Sequence, residues 1–405
     1  MRRRHPFFAL LAFCLALPGC GSAPPLERYG FLARLGRDTI SVESVTRYPD
    51  RIVSDEVDRF PDVRRRHTEL QLAADGSLRH MDMHVLIPSA VERSRDRRIV
   101  ADITRDTARV SLTDGGGTRV IRMASGGMLT IPHVPQMYSL IELYLSAALQ
   151  RGAAGHVPIG TDIRLRQFYP DREFSHYPVP MHRGSVRPMG HDTVELRHDW
   201  LAGIGVAVVD SGRRMLSYSG DRTTYKVAVE RLADQPDVQA IGDRFAAAER
   251  ARGGVVSLSV RDTLHASIGR AAFTVDYGRP LARGRTLLGN VIPYDYIWRT
   301  GANAATQFTT SADIRLGTIA LAPGTYTLWT APHTGRVMLI VNRQTGQWGT
   351  EHDAKFDIGT TELESAAPAS TVEKFTISIT GRDAGSGVLA LEWGDFRWTA
   401  PITVK

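Results

Sequence analysis

The chain has 405 residues and a formal net charge of +7, and 42% of its residues are hydrophobic and 23% are charged. This composition is typical of a folded protein with two or three domains, and it excludes an intrinsically disordered chain and a protein made of membrane-spanning helices. The 37 glycines and 21 prolines indicate many turns and therefore a structure rich in β-strands.

The N-terminus has the pattern of an export signal. Three arginines at positions 2–4 precede an apolar run over residues 7–17, which is too short to cross a bilayer. The run ends in the motif Leu-Pro-Gly-Cys at residues 17–20, which resembles a bacterial lipobox. The resemblance implies that Cys20 becomes the first mature residue and carries a lipid. Because no aspartate follows Cys20, we expect a lipid anchor in the outer membrane, facing the periplasm.

Processing at this motif changes the charge and the thiol content of the chain. Residues 1–19 form the predicted signal peptide and residues 20–27 a tether. The signal carries three arginines and no acidic residue, so the net charge falls from +7 to +4. This mild excess predicts no nucleic-acid partner. Loss of Cys14 and lipidation of Cys20 leave no thiol for catalysis or for a disulfide.

Residues 28–235 predict a curved antiparallel β domain. Residues 38–48 alternate as a strand, and residues 64–87 as a hairpin that turns at residues 74–77. The apolar face of the hairpin carries Thr68, Leu70, Leu72, Met81, Met83, Val85 and Ile87. Further strands are predicted at residues 108–112, 118–123, 161–168, 193–198, 205–210, 214–219 and 225–231, and residues 171–190 are predicted to be a long loop.

One helix interrupts these strands, at residues 137–150. Its apolar residues repeat at helical spacing, Pro135 precedes it and Gly152 follows it. A single apolar helix among strands is expected to cover the concave face of the curved sheet. Residues 236–254 predict a second helix, which links this domain to the rest of the chain.

Residues 255–405 predict an antiparallel β-sandwich. Strands are indicated at residues 257–260, 271–277, 306–310, 325–330, 337–342, 371–380 and 388–393, separated by turn signals. The loops between them concentrate arginine, tryptophan and polar residues: Tyr277, Arg279, Arg283, Arg285, Trp298, Arg299, Thr300, Asn303 and Trp348. This pattern resembles the domain-of-unknown-function family 2911 over roughly residues 255–405. The resemblance implies a β-rich fold and no particular reaction.

These loop residues admit two interpretations. Guanidinium groups bind carboxylate, phosphate or sulfate, and aromatic rings bind sugar or ring faces, so the set predicts a groove for an anionic or sugar-like ligand. The same residues also fit a structural role, in which the arginines bind backbone carbonyls and the tryptophans fill the core. The sequence leaves both interpretations open.

The outer face of the predicted hairpin is a weaker candidate site. It places His67, Glu69 and Gln71 opposite His84, Asp82 and His80. His67, Asp82 and His84 could converge on a metal ion of the zinc class. A solvated polar face explains the same pattern, and it is the interpretation that we favour.

Several common catalytic signatures are missing from the sequence. It contains no Gly-x-Ser-x-Gly elbow, no P-loop and no His-Glu-x-x-His motif. We therefore expect a non-enzymatic envelope lipoprotein, without a cofactor, whose sandwich loops bind a small molecule, a glycan or a protein partner. The first alternative is a lipid or lipoprotein carrier with a cavity lined by Met137, Leu140, Ile141 and Leu145. The second is a hydrolase of envelope polymers that uses carboxylates or a metal at the hairpin.

Overall fold

The computed structural model describes residues 24–59, 63–87, 96–170, 181–190, 192–198, 203–251 and 258–405. The chain forms two β-rich domains with separate hydrophobic cores, which confirms the predicted fold class. Cys20 and the export signal lie outside the described residues. Among the helices in the described ranges, none has the length and apolarity needed to cross a membrane.

The N-terminal domain is one sheet of 15 strands. The chain's first and last strands in this domain pair in the middle of the sheet, and the remaining strands follow one another outwards on each side. All pairs are antiparallel except the last two strands on one side, which are parallel. The strands are β1 (Glu27–Leu35), β2 (Asp38–Arg47), β3 (Arg51–Asp58), β4 (Arg64–Leu72), β5 (Leu78–Leu86), β6 (Arg97–Ile103), β7 (Thr107–Asp114), β8 (Gly117–Ala124), β9 (Thr130–Pro132), β10 (Ile163–Phe168), β11 (His182–Pro188), β12 (Thr193–His198), β13 (Gly203–Val209), β14 (Met215–Thr223) and β15 (Ala228–Leu232).

The predicted hairpin is confirmed as β4 and β5, with the predicted register. His67 lies opposite His84, and Glu69 lies opposite Asp82. The opposite face of both strands is buried, because its apolar side chains point into the domain core. The strict alternation along these nine-residue strands therefore predicted correctly which face of the hairpin is buried and which is exposed.

Helix α1 (Tyr138–Ala154) lies inside the curve of the sheet. It begins one residue later and ends four residues later than predicted. Every residue from Tyr138 to Leu145 is buried, including the polar Ser139 and Glu142. The helix is therefore enclosed on all sides rather than covering the sheet from one side, as expected for a helix without a polar face.

A carboxylate from the sheet caps the start of α1. Met137 precedes the helix but makes no side-chain cap. Instead, Glu43 Oε2 on β2 accepts hydrogen bonds from the backbone N–H groups of Tyr138 and Ser139, at 2.7 and 3.0 Å. Glu43 Oε1 accepts one from Ser54 Oγ at 2.5 Å and another from the Ser139 hydroxyl. Two of the free N–H groups of the first turn are thus satisfied from outside the helix.

Several strands of this sheet were not predicted. β11 occupies the second half of the stretch predicted as a long loop at residues 171–190, so that prediction is wrong for residues 182–188, and residues 171–180 lie outside the described residues. β3 was not predicted because its inward face is polar. Ser54, Glu56 and Asp58 all point into the domain, so the usual alternation of apolar and polar residues is lost.

Helix α2 (Val238–Ala251) lies in the stretch predicted as a linker at residues 236–254. It packs on the outer face of β2 and β3, where Ala246 contacts Val42 and Val57 in a small apolar cluster. Arg65 on β4 binds Asp243 of the helix at 2.6 Å. The predicted linker helix therefore packs as part of the N-terminal domain.

The C-terminal domain is an antiparallel sandwich of 11 strands. Two groups of strands face each other across an aromatic core that includes Phe308, Phe375 and Trp393. Four of its strands, β19, β20, β23 and β26, were not predicted. The strands are β16 (Ser259–Ile268), β17 (Ala271–Pro280), β18 (Thr306–Thr310), β19 (Ile314–Leu316), β20 (Ile319–Leu321), β21 (Gly324–His333), β22 (Arg336–Asn342), β23 (Asp357–Ala366), β24 (Val372–Gly381), β25 (Ser386–Gly394) and β26 (Phe396–Val404).

Candidate functional site

The loop over residues 281–305, which joins β17 to β18, reaches the N-terminal domain. Its Arg283 is buried, donates from Nε to Asp38 at 2.8 Å and accepts a backbone hydrogen bond from Arg37 at 3.1 Å. Gly36, at φ +59°, allows this approach, because a Cβ there would lie 2.4 Å from the Arg283 carbonyl oxygen. Arg283 therefore connects the two domains and is not available to a ligand.

Two other predicted site residues hold the sandwich together. The Tyr277 hydroxyl accepts a hydrogen bond from the Ile377 N–H at 3.1 Å. Arg279 donates from Nε to the Phe375 carbonyl at 3.0 Å and from Nη1 to Asp262 at 2.8 Å. Both side chains join β17 to neighbouring strands, as the structural interpretation predicts.

Trp298 and Thr300 are also part of the core. The Trp298 ring lies against Trp393 with a centroid distance of 5.9 Å and an angle of 13° between the ring planes. Thr300 is fully buried at φ +51°, and its carbonyl accepts a hydrogen bond from Thr306 Oγ1 at 2.6 Å. These residues shape the loop from inside and do not face a ligand.

Arg285 and Arg299 make a different kind of contact from the other predicted site residues. Both side chains are half-buried, and they donate only to backbone carbonyls: Arg285 to Ala282 at 3.0 Å and Leu281 at 2.6 Å, and Arg299 to Asn303 at 3.3 Å. Neither guanidinium forms an ion pair with a carboxylate in the part of the chain that the structure describes. Burial, and then the charge of Arg283, lower the pKa of Arg285 to about 10, and burial lowers the pKa of Arg299.

Asn303 and Trp348 complete the environment of Arg299. Asn303, at φ +64°, offers its carbonyl both to Arg299 and to the Gly349 N–H at 3.0 Å. A Cβ on Gly349 would lie 2.2 Å from Arg299 Cδ, so this glycine lets the arginine lie across the backbone beside Trp348. The Trp348 side chain is half exposed. An aromatic surface therefore adjoins an arginine without an acidic partner.

Lys226 contributes a third cation from the N-terminal domain. It lies between β14 and β15, and its Nζ donates to the carbonyl oxygens of Asp221 at 2.5 Å and of Asn290 at 3.1 Å. The pKa of Lys226 is lowered to about 8, chiefly by burial; the charge of Asp221 opposes this shift, and the charges of Arg285 and Arg299 add to it. Sequence analysis missed this residue. Its only signal is that Lys226 is the one lysine before residue 355 in an arginine-rich chain.

The hairpin histidines are held in pairs on the outer face. His67 Nδ1 lies 2.7 Å from Asp55, and Asp82 binds Arg98 through both carboxylate oxygens. His84 Nε2 lies 3.5 Å from Asp82. Among the described residues, no group of three or more histidine, cysteine or acidic side chains is arranged to hold a metal ion.

The interior of the N-terminal domain is filled by α1. Met137, Leu140, Ile141 and Leu145, which were predicted to line a cavity, are buried in the core cluster. A cleft of about 250 Å³ lies at the C-terminal end of the helix. Apolar and polar side chains line it together, including Leu149, Ile163, Asp210 and Arg213.

In comparisons with known proteins, the C-terminal domain matches a family without an assigned function. Residues 259–402 match the model of the DUF2911 family, whose members are described as proteins of unknown function. This match confirms the predicted resemblance. No curated protein matches the sequence. A DUF1089-family protein from Pseudomonas aeruginosa is 17% identical, with a TM-score of 0.33 over 45% of this chain and 91% of that chain. Botulinum neurotoxin type C is 8% identical, with a TM-score of 0.12 over 93% and 84%. Neither structure is similar enough to support an argument here.

Proposed function

We propose that this protein is a non-enzymatic lipoprotein of the cell envelope that binds an anionic ligand through its arginine–tryptophan loops. The ligand is a small molecule or glycan that carries an acidic group and a ring. The observation that carries the proposal is the pair Arg285 and Arg299, two half-buried guanidiniums that lack an acidic partner in the described structure. The half-exposed Trp348 directly precedes Gly349, whose backbone Arg299 approaches closely.

The charges explain why an anion would bind here. Removing a guanidinium from water disfavours its charged form, and burial is the largest cause that lowers the pKa of each of the two arginines. An oxyanion bound at either guanidinium would stabilise its charged form and would form charge-assisted hydrogen bonds. Trp348 adds a flat apolar surface that favours a ring or a sugar face.

The proposed location of the protein is inferred from the sequence of its N-terminus. The lipobox-like motif at residues 17–20 supports cleavage before Cys20 and a lipid anchor in the outer membrane. We expect Cys20→Ala to move the protein from the membrane fraction to the soluble periplasmic fraction. Immunoblots of fractionated cells measure this. A variant that stays in the membrane fraction as fully as the wild type would contradict the anchor.

Ligand binding is tested by tryptophan fluorescence. The probe is benzoate, which has a ring and one negative charge, and the change due to Trp348 is isolated by comparison with Trp348→Phe, because the chain has six tryptophans. We expect Arg299→Ala to weaken binding about tenfold or more, since a hydrogen bond to a charged group contributes roughly 1.5–3 kcal/mol.

Arg315→Ala is the matched control for Arg299→Ala. Arg315 is exposed and, like Arg299, donates to a backbone carbonyl, that of Thr318 at 3.1 Å, but it belongs to β19 and not to the loop over residues 281–305. We expect this variant to bind like the wild type. Equal binding by Arg299→Ala and the wild type would overturn the proposed site. Arg299→Lys keeps the positive charge and distinguishes loss of binding from loss of folding. Binding that Arg299→Lys retains and Arg299→Ala loses is due to the charge and not to the fold.

A further inference from the structure

The cleft at the C-terminal end of α1 has an apolar floor. The aliphatic side chains that line it come from the end of the helix, the loop after it and three strands: Leu149, Val157, Ile163, Val194 and Val209. Its volume of about 250 Å³ corresponds to roughly eight water molecules, because one water takes about 30 Å³ of the liquid. The cleft therefore has the size of a small aliphatic molecule and is too small for a long acyl chain.

Two opposite charges line the same cleft, those of Asp210 and Arg213. These residues begin and end the four-residue turn between β13 and β14, where the Arg213 N–H donates to the Asp210 carbonyl at 2.9 Å. The Cα atoms at the two ends of such a turn lie less than about 7 Å apart. The two side chains nevertheless form no ion pair, with each other or with another charged group, in the part of the chain that the structure describes.

Other charged residues beside the cleft already have partners. Arg214 lies 3.6 Å from Glu27, and Asp162 binds Arg187 at 2.9 Å. Each of these pairs includes a residue that is adjacent in sequence to one lining the cleft. One negative and one positive group of the turn are therefore left to a ligand.

The turn is held rigidly against the helix. Ser146 Oγ on α1 donates to the Arg213 carbonyl at 2.8 Å, and Asp210 Oδ1 accepts the Arg214 N–H at 2.8 Å. Asp210 Oδ2 accepts no hydrogen bond from the described residues. Arg213 has a φ of +61°, a conformation in which glycine is the usual residue. An arginine at this position brings a guanidinium to the cleft at a cost in backbone strain.

We propose that this cleft binds a free α-amino acid with an aliphatic side chain, such as leucine. Arg213 binds the carboxylate of the ligand and Asp210 binds its ammonium group through charge-assisted hydrogen bonds, while the side chain packs on the apolar floor. An amino acid carries both charges on one carbon atom, which matches two charges held at the ends of one turn. The site is separate from the arginine–tryptophan loops, so this inference goes beyond the proposed function.

The test is calorimetric titration of the full mature chain with leucine and with two analogues that each lack one charge. Leucinamide has no carboxylate, and isocaproate is leucine without its amino group. We expect saturable binding of leucine by the wild type. Each analogue should bind about tenfold or more weakly, because a hydrogen bond between charged groups is lost and a charge in the cleft stays unpaired.

Two variants assign the charges to their residues. Arg213→Gly should weaken the binding of leucine about tenfold or more and bring leucine and leucinamide to similar affinities. Its unfolding midpoint should equal or exceed that of the wild type, because glycine adopts a positive φ without strain, so lost binding is not lost folding. Asp210→Asn keeps the acceptor for the turn; it should weaken the binding of leucine but not of isocaproate.

Arg222→Ala is the control, because it removes an exposed arginine at the other end of β14. It should bind leucine like the wild type. No saturable binding of leucine by the wild type, or equal leucine affinities for the wild type and Arg213→Gly, would overturn the site. Equal affinities of the wild type for leucine and isocaproate would overturn the assignment to an amino acid. Arg299→Ala should leave leucine binding unchanged, so this inference and the proposed function stand or fall separately.

Discussion

Replacing Glu142 by alanine is expected to destabilise the N-terminal domain by about 3–5 kcal/mol, the cost of breaking a buried charged pair. Glu142 is fully buried in the middle of α1. Its carboxylate accepts hydrogen bonds from the Tyr29 hydroxyl at 2.5 Å, the Met215 N–H at 3.0 Å and Arg231 at 2.6 Å. Alanine would remove this acceptor from the Tyr29 hydroxyl and the Met215 N–H, and it would leave Arg231 with Glu27 as its carboxylate partner.

Urea denaturation followed by circular dichroism measures the effect of Glu142→Ala. Glu142→Gln keeps a carbonyl acceptor but loses the charge opposite Arg231, so we expect an intermediate loss. Glu230→Ala is the control, because Glu230 pairs with Arg34 on the exposed face and such pairs contribute little. A midpoint for Glu142→Ala within error of the wild type would show that the helix is not anchored through this carboxylate.

The second large effect is expected for Arg66→Met. The side chains of Arg66, Glu56 and Asp58 are fully buried together; Arg66 lies 2.6 Å from Glu56 and also contacts Asp58. Burial raises the pKa of Glu56 well above its ordinary value, and the charge of Arg66 opposes that rise. Without Arg66 the carboxylates lose this compensation, and we expect a loss of about 3–5 kcal/mol at pH 7.5.

The loss caused by Arg66→Met should depend on pH. A carboxyl group whose folded-state pKa is raised destabilises the folded state as the pH rises through that pKa, and this cost is absent at a pH below the unfolded value. In the variant the pKa of Glu56 rises further, so acidification protonates Glu56 and the loss should shrink at pH 5. Denaturation at pH 7.5 and pH 5 measures this difference. Arg98→Met, which removes an exposed pair with Asp82, is the control. We expect its stability to equal that of the wild type at both pH values. An equal loss at both pH values would contradict this explanation.

Local patterns predicted the regular parts of the fold. The β4–β5 hairpin alternates strictly, so its register and its buried face follow from the sequence. The helix was found because its apolar residues repeat at helical spacing, but its full enclosure was not expected. Ser139 and Glu142 are polar, yet both are buried and bound to partners from the sheet. The sequence does not show which strands supply those partners.

The candidate site was predictable only in part. The sequence identified the arginine–tryptophan loops, but it could not separate the arginines that pair with carboxylates from those that bind backbone carbonyls. Arg279 and Arg285 are six residues apart in similar local sequence. Arg279 binds Asp262, yet Arg285 binds backbone carbonyls among the described residues. Lys226 lies in another domain, and its approach to Asn290 depends on how the two domains pack. Contacts of this kind have no local pattern.

A crystal structure of the mature protein soaked in tungstate, an anion with a strong anomalous signal, tests the proposed anion site most directly. The crystals should be grown without phosphate or sulfate. We expect an anomalous peak within hydrogen-bonding distance of the guanidinium of Arg285 or of Arg299. Tungstate bound elsewhere, with both guanidiniums unoccupied, would contradict the account.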